Sequence, residues 1–362
     1  MEKSNQKEKP IKIVLTGGHA ATVGIAVIEE LQKRFKDQKV EISWVGSKKA
    51  VEGSNATTIE YKIYTDLGVK IYPIDAGKLQ TKFTKYTIPS LIKIPLGFIQ
   101  AFFVLIKLWP KVVLSLGGYA SFPVVFWAWV FRIPIILHEQ TVVAGRASMA
   151  ASFFATKIAL ARIESQKFFP KEKSVVTGNP IMSSILSVPL STVHDSPFTI
   201  LVMGGSRGSE FINEEIIKIV PELIKKYNVI HITGERDFEK YKNYASKNYE
   251  VIAFVDPREM YKYYEKANLI LSRSGATTVS EILATKRPVI LIPLPRTFMD
   301  EQVKNAQYAL KFGIAKVMAE TEVNPESLRI AIENMIVHKI ASKESPDLGA
   351  AEKLVDLLIK YV

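Results

Sequence analysis

Short, mostly apolar runs alternate with longer segments of helical periodicity along this chain, and the alternation occurs twice over. In the first half the apolar runs are Ile11–Thr16, Val40–Val45, Lys70–Pro73, Val112–Ser115 and Ile133–Leu137, with helical segments through about Phe35 and near Thr58–Leu67. In the second half they are Thr199–Met203, Val229–Thr233, Glu250–Phe254, Leu269–Leu271 and Pro288–Ile292. Strands that alternate with helices at this spacing predict an α/β protein with doubly wound parallel sheets. A length of 362 residues exceeds what one hydrophobic core usually organises, so two such domains are expected. Between Ser183 and Pro197 the periodicity gives way to Ser and Pro, which marks a linker. The expected division is residues 1–187, a linker at 188–197, a second domain at 198–344, and a C-terminal helix within 345–362 packing across both lobes. Two lobes of this kind are expected to face each other across a ligand-binding cleft.

Three of the strand-to-helix turns are rich in glycine: Gly17-Gly18-His19, Gly117-Gly118-Tyr119 and Gly204-Gly205-Ser206-Arg207-Gly208. Without a Cβ the backbone can approach a ligand, and the free amides at a helix start favour phosphate. Each turn alone is ordinary for this fold class; three at equivalent places in two lobes point to ligand binding. None matches G-x-G-x-x-G and none is followed by Lys-Ser/Thr, so neither a dinucleotide fingerprint nor a P-loop is supported.

Charge sharpens the picture because it is uneven. Residues 1–197 hold 25 Lys+Arg against 14 Asp+Glu, and residues 198–362 hold 23 against 22, so nearly all of the net +12 lies in the first half. A basic half suits an anionic membrane surface or a phosphorylated ligand, and nucleic acid is the weakest of the candidate partners because no basic run interleaves with aromatics. The segment Ile88–Trp109 is apolar almost all round and is flanked by Lys78, Lys82, Lys85, Lys93, Lys107 and Lys111. Its uncharged core, Ile94–Ile106, is short for a span and contains Pro95, so the segment is expected to lie in a membrane interface rather than cross it. The charged start of the chain carries no apolar signal region, so the expected location is the cytoplasmic side of the cell membrane, as a peripheral protein. With no cysteine there is no thiolate chemistry, and neither a cofactor nor a metal is expected.

The densest chemistry follows strand Leu269–Leu271, in Arg273-Ser274-Gly275-Ala276-Thr277-Thr278-Val279-Ser280-Glu281. Ser274 or Gly275 is expected to cap a helix whose first amides, with Arg273 and the hydroxyls, hold a diphosphate. Glu281 lies two turns along and is acceptor-only when ionised, as a ribose-diol partner should be. Downstream, Asp300-Glu301-Gln302 and Asn305 can reach sugar hydroxyls, and in the first half His138-Glu139-Gln140-Thr141 follows a buried strand.

Taken in order, GGYASFP at Gly117–Pro123, HEQ at His138–Gln140, TGNP at Thr177–Pro180, GGSRG at Gly204–Gly208, FVD at Phe254–Asp256, RSGATTVSE at Arg273–Glu281, PLP at Pro293–Pro295 and DEQxxNA at Asp300–Ala306 resemble the MurG family. That family adds N-acetylglucosamine to lipid I to make lipid II in peptidoglycan synthesis. The resemblance implies a GT-B fold, UDP-N-acetylglucosamine held mainly by the C-terminal lobe, and lipid I at the N-terminal lobe, with other cell-wall synthesis proteins as further partners. It implies that Ser206 and Ala276–Glu281 hold diphosphate and ribose, that Val255 lies at the uracil and Gln302 at the sugar. Gly17, Gly18 and Thr141 join the donor side, and Gly117, Gly118, Tyr119 and Asn179 the acceptor diphosphate. The first loop, TGGHAATVG, is shorter than the family's usual G-G-T-G-G-H; Thr141 replaces an Asn and Met182 an Arg.

The expected reaction is a metal-independent inverting transfer, with His19 as first candidate for the base and Glu139 as second. The alternatives are a transferase for another lipid-linked acceptor, a UDP-sugar epimerase, or a non-catalytic UDP-sugar-binding membrane module.

Overall fold

The computed structural model describes residues 10–18, 20–36, 38–49, 57–77, 87–189, 198–337 and 346–362. They form two compact units, one of residues 1–180 with 349–362 and one of residues 181–348.

The first unit is built on a seven-stranded, wholly parallel sheet. Its elements run β1 (Ile11–Thr16), α1 (Ala21–Arg34), β2 (Val40–Gly46), α2 (Ile59–Asp66), β3 (Lys70–Pro73), α3 (Thr87–Leu108), β4 (Val112–Ser115), α4 (Phe122–Val130), β5 (Ile135–Glu139), α5 (Arg146–Ser152), β6 (Lys157–Leu160) and β7 (Ser174–Val176). The spatial order is β3-β2-β1-β4-β5-β6-β7, so the winding reverses between β1 and β4. The apolar runs are apolar because both faces of such a sheet are covered: all four residues of β4 are buried, as are Ile13, Val14 and Leu15 of β1.

The second unit begins with α6 (Ser183–Leu186) and continues β8 (Thr199–Met203), α7 (Glu210–Leu223), β9 (Asn228–Ile232), α8 (Phe238–Tyr241), β10 (Tyr249–Ile252), α9 (Met260–Lys266), β11 (Leu269–Ser272), α10 (Ala276–Thr285), β12 (Val289–Leu291), α11 (Glu301–Leu310), β13 (Ala315–Val317) and α12 (Pro325–Val337). Its six parallel strands are ordered β10-β9-β8-β11-β12-β13, with the reversal between β8 and β11. Open sheets of this kind bind ligands beyond the strand ends at the point of reversal. In each unit that point is flanked by two of the loops singled out above.

Strands β6, β7 and β13 were not among the expected ones. They are short, and β7 and β13 are only partly buried, so they lack the apolar run that marks the central strands. Strand β5 lies two residues later than expected and carries His138 and Glu139 inside the sheet. Helix α3 is continuous through Pro95, which was expected to interrupt it. The proline ring stands on the exposed side, while Gly97, Ala101, Leu105 and Leu108 pack inward, so the lost backbone hydrogen bond is outweighed by burial on the other face. At 22 residues α3 is long and apolar enough to cross a membrane by length and composition. Its inner face belongs to the first unit's core: Trp127 Nε1 of α4 donates to Phe98 O at 2.8 Å.

Helix α13 (Ala350–Ile359) packs on α1 and completes the first unit. Leu354, Val355 and Leu358 are buried, and Lys33 and Arg34 at the end of α1 pair with Glu352 and Asp356 around them. These ion pairs are exposed and add little; the leucines carry the contact. Leu354→Ala is expected to cost about 2–5 kcal/mol of folding stability by chemical denaturation. An unchanged midpoint would show that α13 is dispensable to the unit.

Candidate active site

At the reversal in the second unit, the turn after β8 and the turn after β9 are locked by backbone contact. A Cβ on Gly208 (φ +75°) would stand 2.0 Å from Thr233 O, and one on Gly234 (φ +88°) 2.5 Å from Arg207 O. Only glycine permits that approach. Gly205 faces open space, with the exposed Ser206 beside it.

Beneath these turns lies a polar network of the buried Asn213, His231 and Tyr249 with the half-buried Asp237 at its edge. Asn213 Nδ2 donates to Thr233 O and to Asp237 Oδ2, both at 2.9 Å, which leaves its Oδ1 to accept from His231 Nε2 at 2.9 Å. His231 Nδ1 therefore carries no proton and accepts from Tyr249 Oη at 2.8 Å. Burial holds this imidazole neutral, with its pKa lowered to about 3.

The turn after β11 presents the start of α10. Its N-cap is Gly275, with no side-chain cap, and residues 275–278 are half-exposed, so the first amides are open to an anion. Ser274, expected as a capping candidate, instead donates from Oγ to Gln302 O at 2.7 Å. Asn305 Nδ2 donates back to Ser274 O, and Gln302 Oε1 accepts from Leu294 N at 3.0 Å, so the PLP segment, the start of α11 and this turn are knit together. The chain reaches α11 through Met299 and Asp300, both with φ +53°, a conformation costly for non-glycine residues. Arg273, expected as a phosphate donor, is buried and spends its guanidinium inside the protein. Nε donates to Ser209 Oγ (2.9 Å), Nη1 to Ile292 O (3.1 Å) and Nη2 to Glu320 Oε1 (2.5 Å). Glu281 is buried and accepts from Tyr264 Oη at 2.9 Å. Val255 is half-buried just beyond β10, before Asp256, which pairs with Arg258 at 2.6 Å.

In the first unit the turns after β1 and β4 meet through their glycines. A Cβ on Gly17 would stand 2.9 Å from Gly117 O, and one on Gly118 (φ +85°) 3.3 Å from Gly18 N. Gly17, Gly18, Gly118 and Tyr119 line a shallow pocket with Ser47, Lys49 and Thr58. His19 lies outside the described residues. The amide of Ala20, next along, donates to the buried Glu60 Oε1 at 3.0 Å. His138 is buried, its Nε2 donating to Gly178 O at 3.1 Å and its Nδ1 facing Gln140 Nε2 at 3.3 Å. Burial lowers its pKa to about 4, with Arg162 acting in the same direction and the Gly178 hydrogen bond opposing. Glu139 accepts from Thr141 N (3.2 Å), Thr141 Oγ1 (3.1 Å), Gly145 N (3.1 Å) and the Ser148 side chain. Burial raises its pKa and these donors partly offset the rise. Its carboxylate thus organises the 141–148 turn, and Asn179 is buried beside Gly178.

Comparison with known proteins follows the same two-part plan. Residues 14–160 match the glycosyltransferase family 28 N-terminal domain, and residues 199–358 match the glycosyltransferase family 28 C-terminal domain. A UDP-N-acetylglucosamine--N-acetylmuramyl-(pentapeptide) pyrophosphoryl-undecaprenol N-acetylglucosamine transferase of Clostridium kluyveri is 33% identical over 365 residues, covering 97% of this chain and 99% of that one. The chain belongs to the MurG family. The crystal structure of Acinetobacter baumannii MurG superposes with a TM-score of 0.69 at 24% identity, covering 97% of this chain and 100% of that one. A UDP-GlcNAc 2-epimerase from Neisseria meningitidis bound to UDP-GlcNAc gives 0.70 at 16% identity with the same coverage, which shows a shared fold of two Rossmann-like domains.

Three of the MurG-family motifs follow strands at the two reversal points, GGSRG and RSGATTVSE in the second unit and GGYASFP in the first. Hydrogen bonds join PLP and DEQ to RSGATTVSE, and HEQ, with TGNP through it, to the turn after β4, whereas FVD follows the edge strand β10. Asn213, His231, Glu60 and Tyr264 were not expected; each acts through a partner at least 17 residues away, and no local pattern announces that.

Both buried histidines bind a proton in the unfolded chain at pH values where the native state does not. Stability is thus complete above the unfolded pKa near 6.5 and falls with pH down to about 4 for His138 and about 3 for His231. The slope is about 1.4 kcal/mol per pH unit for each histidine within its window. Urea titrations at pH 7.0 and 5.0 on the parent and on His231→Gln should show a shallower loss in the variant. Equal losses would mean that His231 is not buried as a neutral ring.

Proposed function

We propose that this chain transfers N-acetylglucosamine from UDP-N-acetylglucosamine to the undecaprenyl-pyrophosphoryl N-acetylmuramyl-pentapeptide acceptor, lipid I. The observation that carries the donor side is the uncapped start of α10, with open amides at Ala276, Thr277 and Thr278 and a buried carboxylate, Glu281, two turns along. Val279 and Ser280 are the buried residues between them; Ser280 Oγ donates to Ala276 O and steadies the first turn. Amides held in place before the reaction stabilise the charge that grows on the departing diphosphate without reorganisation. Ser206 in the open turn after β8 adds a hydroxyl, Val255 takes the uracil, and Gln302 takes the sugar. Gly117, Gly118, Tyr119 and Asn179 serve the acceptor. Gly17 and Gly18, expected on the donor side, line the same pocket as Gly118 and Tyr119 and are assigned to the acceptor with them, and Lys49, also lining it, supplies a cation for its diphosphate. Arg273 and Thr141 serve the site by holding turns rather than by touching substrate.

In the transfer, the acceptor hydroxyl forms a bond to the anomeric carbon as the bond from that carbon to the UDP oxygen breaks, with inversion. The proton goes to His19, which follows Gly18 in the sequence. Glu139, saturated by local donors, is a positioning residue for the 141–148 turn.

We also propose peripheral attachment to the anionic face of a membrane. Ile92, Ile99, Phe103 (64% exposed) and Ile106 of α3 are exposed, as are Trp109, Trp129 and Phe153 (78% exposed) of the same unit. Lys93, Lys107 and Lys111 lie along the same helix and just beyond it. Apolar side chains beside basic ones fit an interfacial helix, each lysine adding about 1 kcal/mol near anionic lipid.

Incubation with UDP-N-acetylglucosamine and a lipid I analogue should yield UDP and the disaccharide-lipid in equal amounts, and His19→Ala should lower turnover by about 100-fold or more. UDP without lipid product, or free N-acetylmannosamine, would refute the transfer; unchanged turnover in the variant would remove His19 as base. Co-sedimentation with anionic vesicles should be strong at low salt and lost in Phe103→Asp. Equal recovery of parent and variant would exclude α3 as the docking element.

A further inference from the structure

Glu281 is only 7% exposed, and a carboxylate at that depth has exchanged its hydration for whatever donors the fold supplies. Its terminal torsion is intrinsically broad, so burial alone does not orient the two oxygens. Tyr264, on α9, donates from Oη to Glu281 Oε2 at 2.9 Å, and its ring is 1% exposed. The tyrosine is itself fixed from behind. Arg287, fully buried just past α10, donates from Nε to Tyr264 O at 3.1 Å and from Nη2 to Glu265 O at 3.4 Å and Pro189 O at 3.0 Å. Two of these three carbonyls, those of Tyr264 and Glu265, lie at the end of α9, so the guanidinium holds that helix end in place and ties it to Pro189. The line Arg287, Tyr264, Glu281 thus runs from a rigid anchor to one oxygen of the carboxylate.

We infer that Tyr264 is a positioning residue for nucleotide specificity: its hydroxyl pins Oε2 and sets the plane in which Glu281 meets the ribose diol of a uridine diphospho-sugar. The inference rests on the reading of Glu281 as the ribose partner. A site built to pair with a hydroxyl discriminates strongly against the analogue that lacks it, but only while its acceptor is held in register. Tyr264 keeps that register, and a phenylalanine would fill the same space without doing so.

The test is calorimetric binding of UDP and of 2′-deoxy-UDP to the full chain and to Y264F, E281Q and the double variant. The parent should prefer UDP by about tenfold or more. Y264F should lower that preference by about fivefold and change 2′-deoxy-UDP affinity by less than about twofold, with a lowered melting temperature because a buried carboxylate oxygen loses its donor. E281Q should abolish the preference, and adding Y264F to it should change nothing further, as two groups acting through one contact require. If Y264F weakens both nucleotides equally, the tyrosine only packs and the inference is overturned while the ribose reading stands. If E281Q keeps the full preference for UDP, the ribose reading falls and the inference with it.

Discussion

Ser209 Oγ accepts from Arg273 Nε at 2.9 Å and also from Ile212 N as the cap of α7, so a single oxygen joins the turn after β8 to the turn after β11. That joint matters because of how a parallel sheet is wound. At the reversal the chain leaves the two central strands toward opposite faces, and the backbone bonds that hold the sheet stop at the strand ends. In the first unit the glycine turns close this gap by backbone contact; in the second a side chain spans it. Arg273 does so with a planar fork that also reaches Ile292 O and Glu320, and it stacks over Phe211 at 5.6 Å. A lysine has neither the reach in three directions nor the flat face. Beyond the strand pairing of β8 with β11, this contact ties the start of α10 to the glycine turn after β8.

The same logic recurs with different residues. In each unit the turns at the reversal are rich in glycine, and several polar side chains beside them, among them Arg273, His231, Asn213 and Glu139, are buried and turned inward. His231, Asn213 and Asp237 support one turn; Glu139 with Thr141 and Ser148 supports another. Buried polar groups are expensive unless fully paired, and where they are paired they specify one geometry. Glycine turns need such supports, since they have no side chains with which to hold themselves.

Much of this was legible in the residue order. The central strands, the glycine turns and the helix starting near Gly275 announce themselves locally, through apolar runs and missing Cβ atoms. The roles of Arg273 and Ser274 were not legible, because a donor in a phosphate-like motif reads the same whether it faces the ligand or the protein interior. Their partners Ser209, Glu320 and Gln302 lie 28 to 64 positions away. Helix α3 was misjudged at Pro95 for a related reason: whether a proline ends a helix depends on which face it occupies, and that depends on what covers the other face. Tyr264 gave no signal at all, being one of several tyrosines on a short helix.

The return of α13 to the first unit has a consequence for how the molecule is made. The second unit is, in chain order, an insertion between residue 180 and residue 349. Residues 349–362 leave the ribosome after everything else in either unit, yet they cover the apolar side of α1, among the earliest segments to emerge. Throughout synthesis of the second unit, the first must wait with that side of α1 uncovered. The last turns of helix to appear therefore act as the closing seal of a domain begun some three hundred residues earlier, and clipping them would reopen a core far from the cut in sequence.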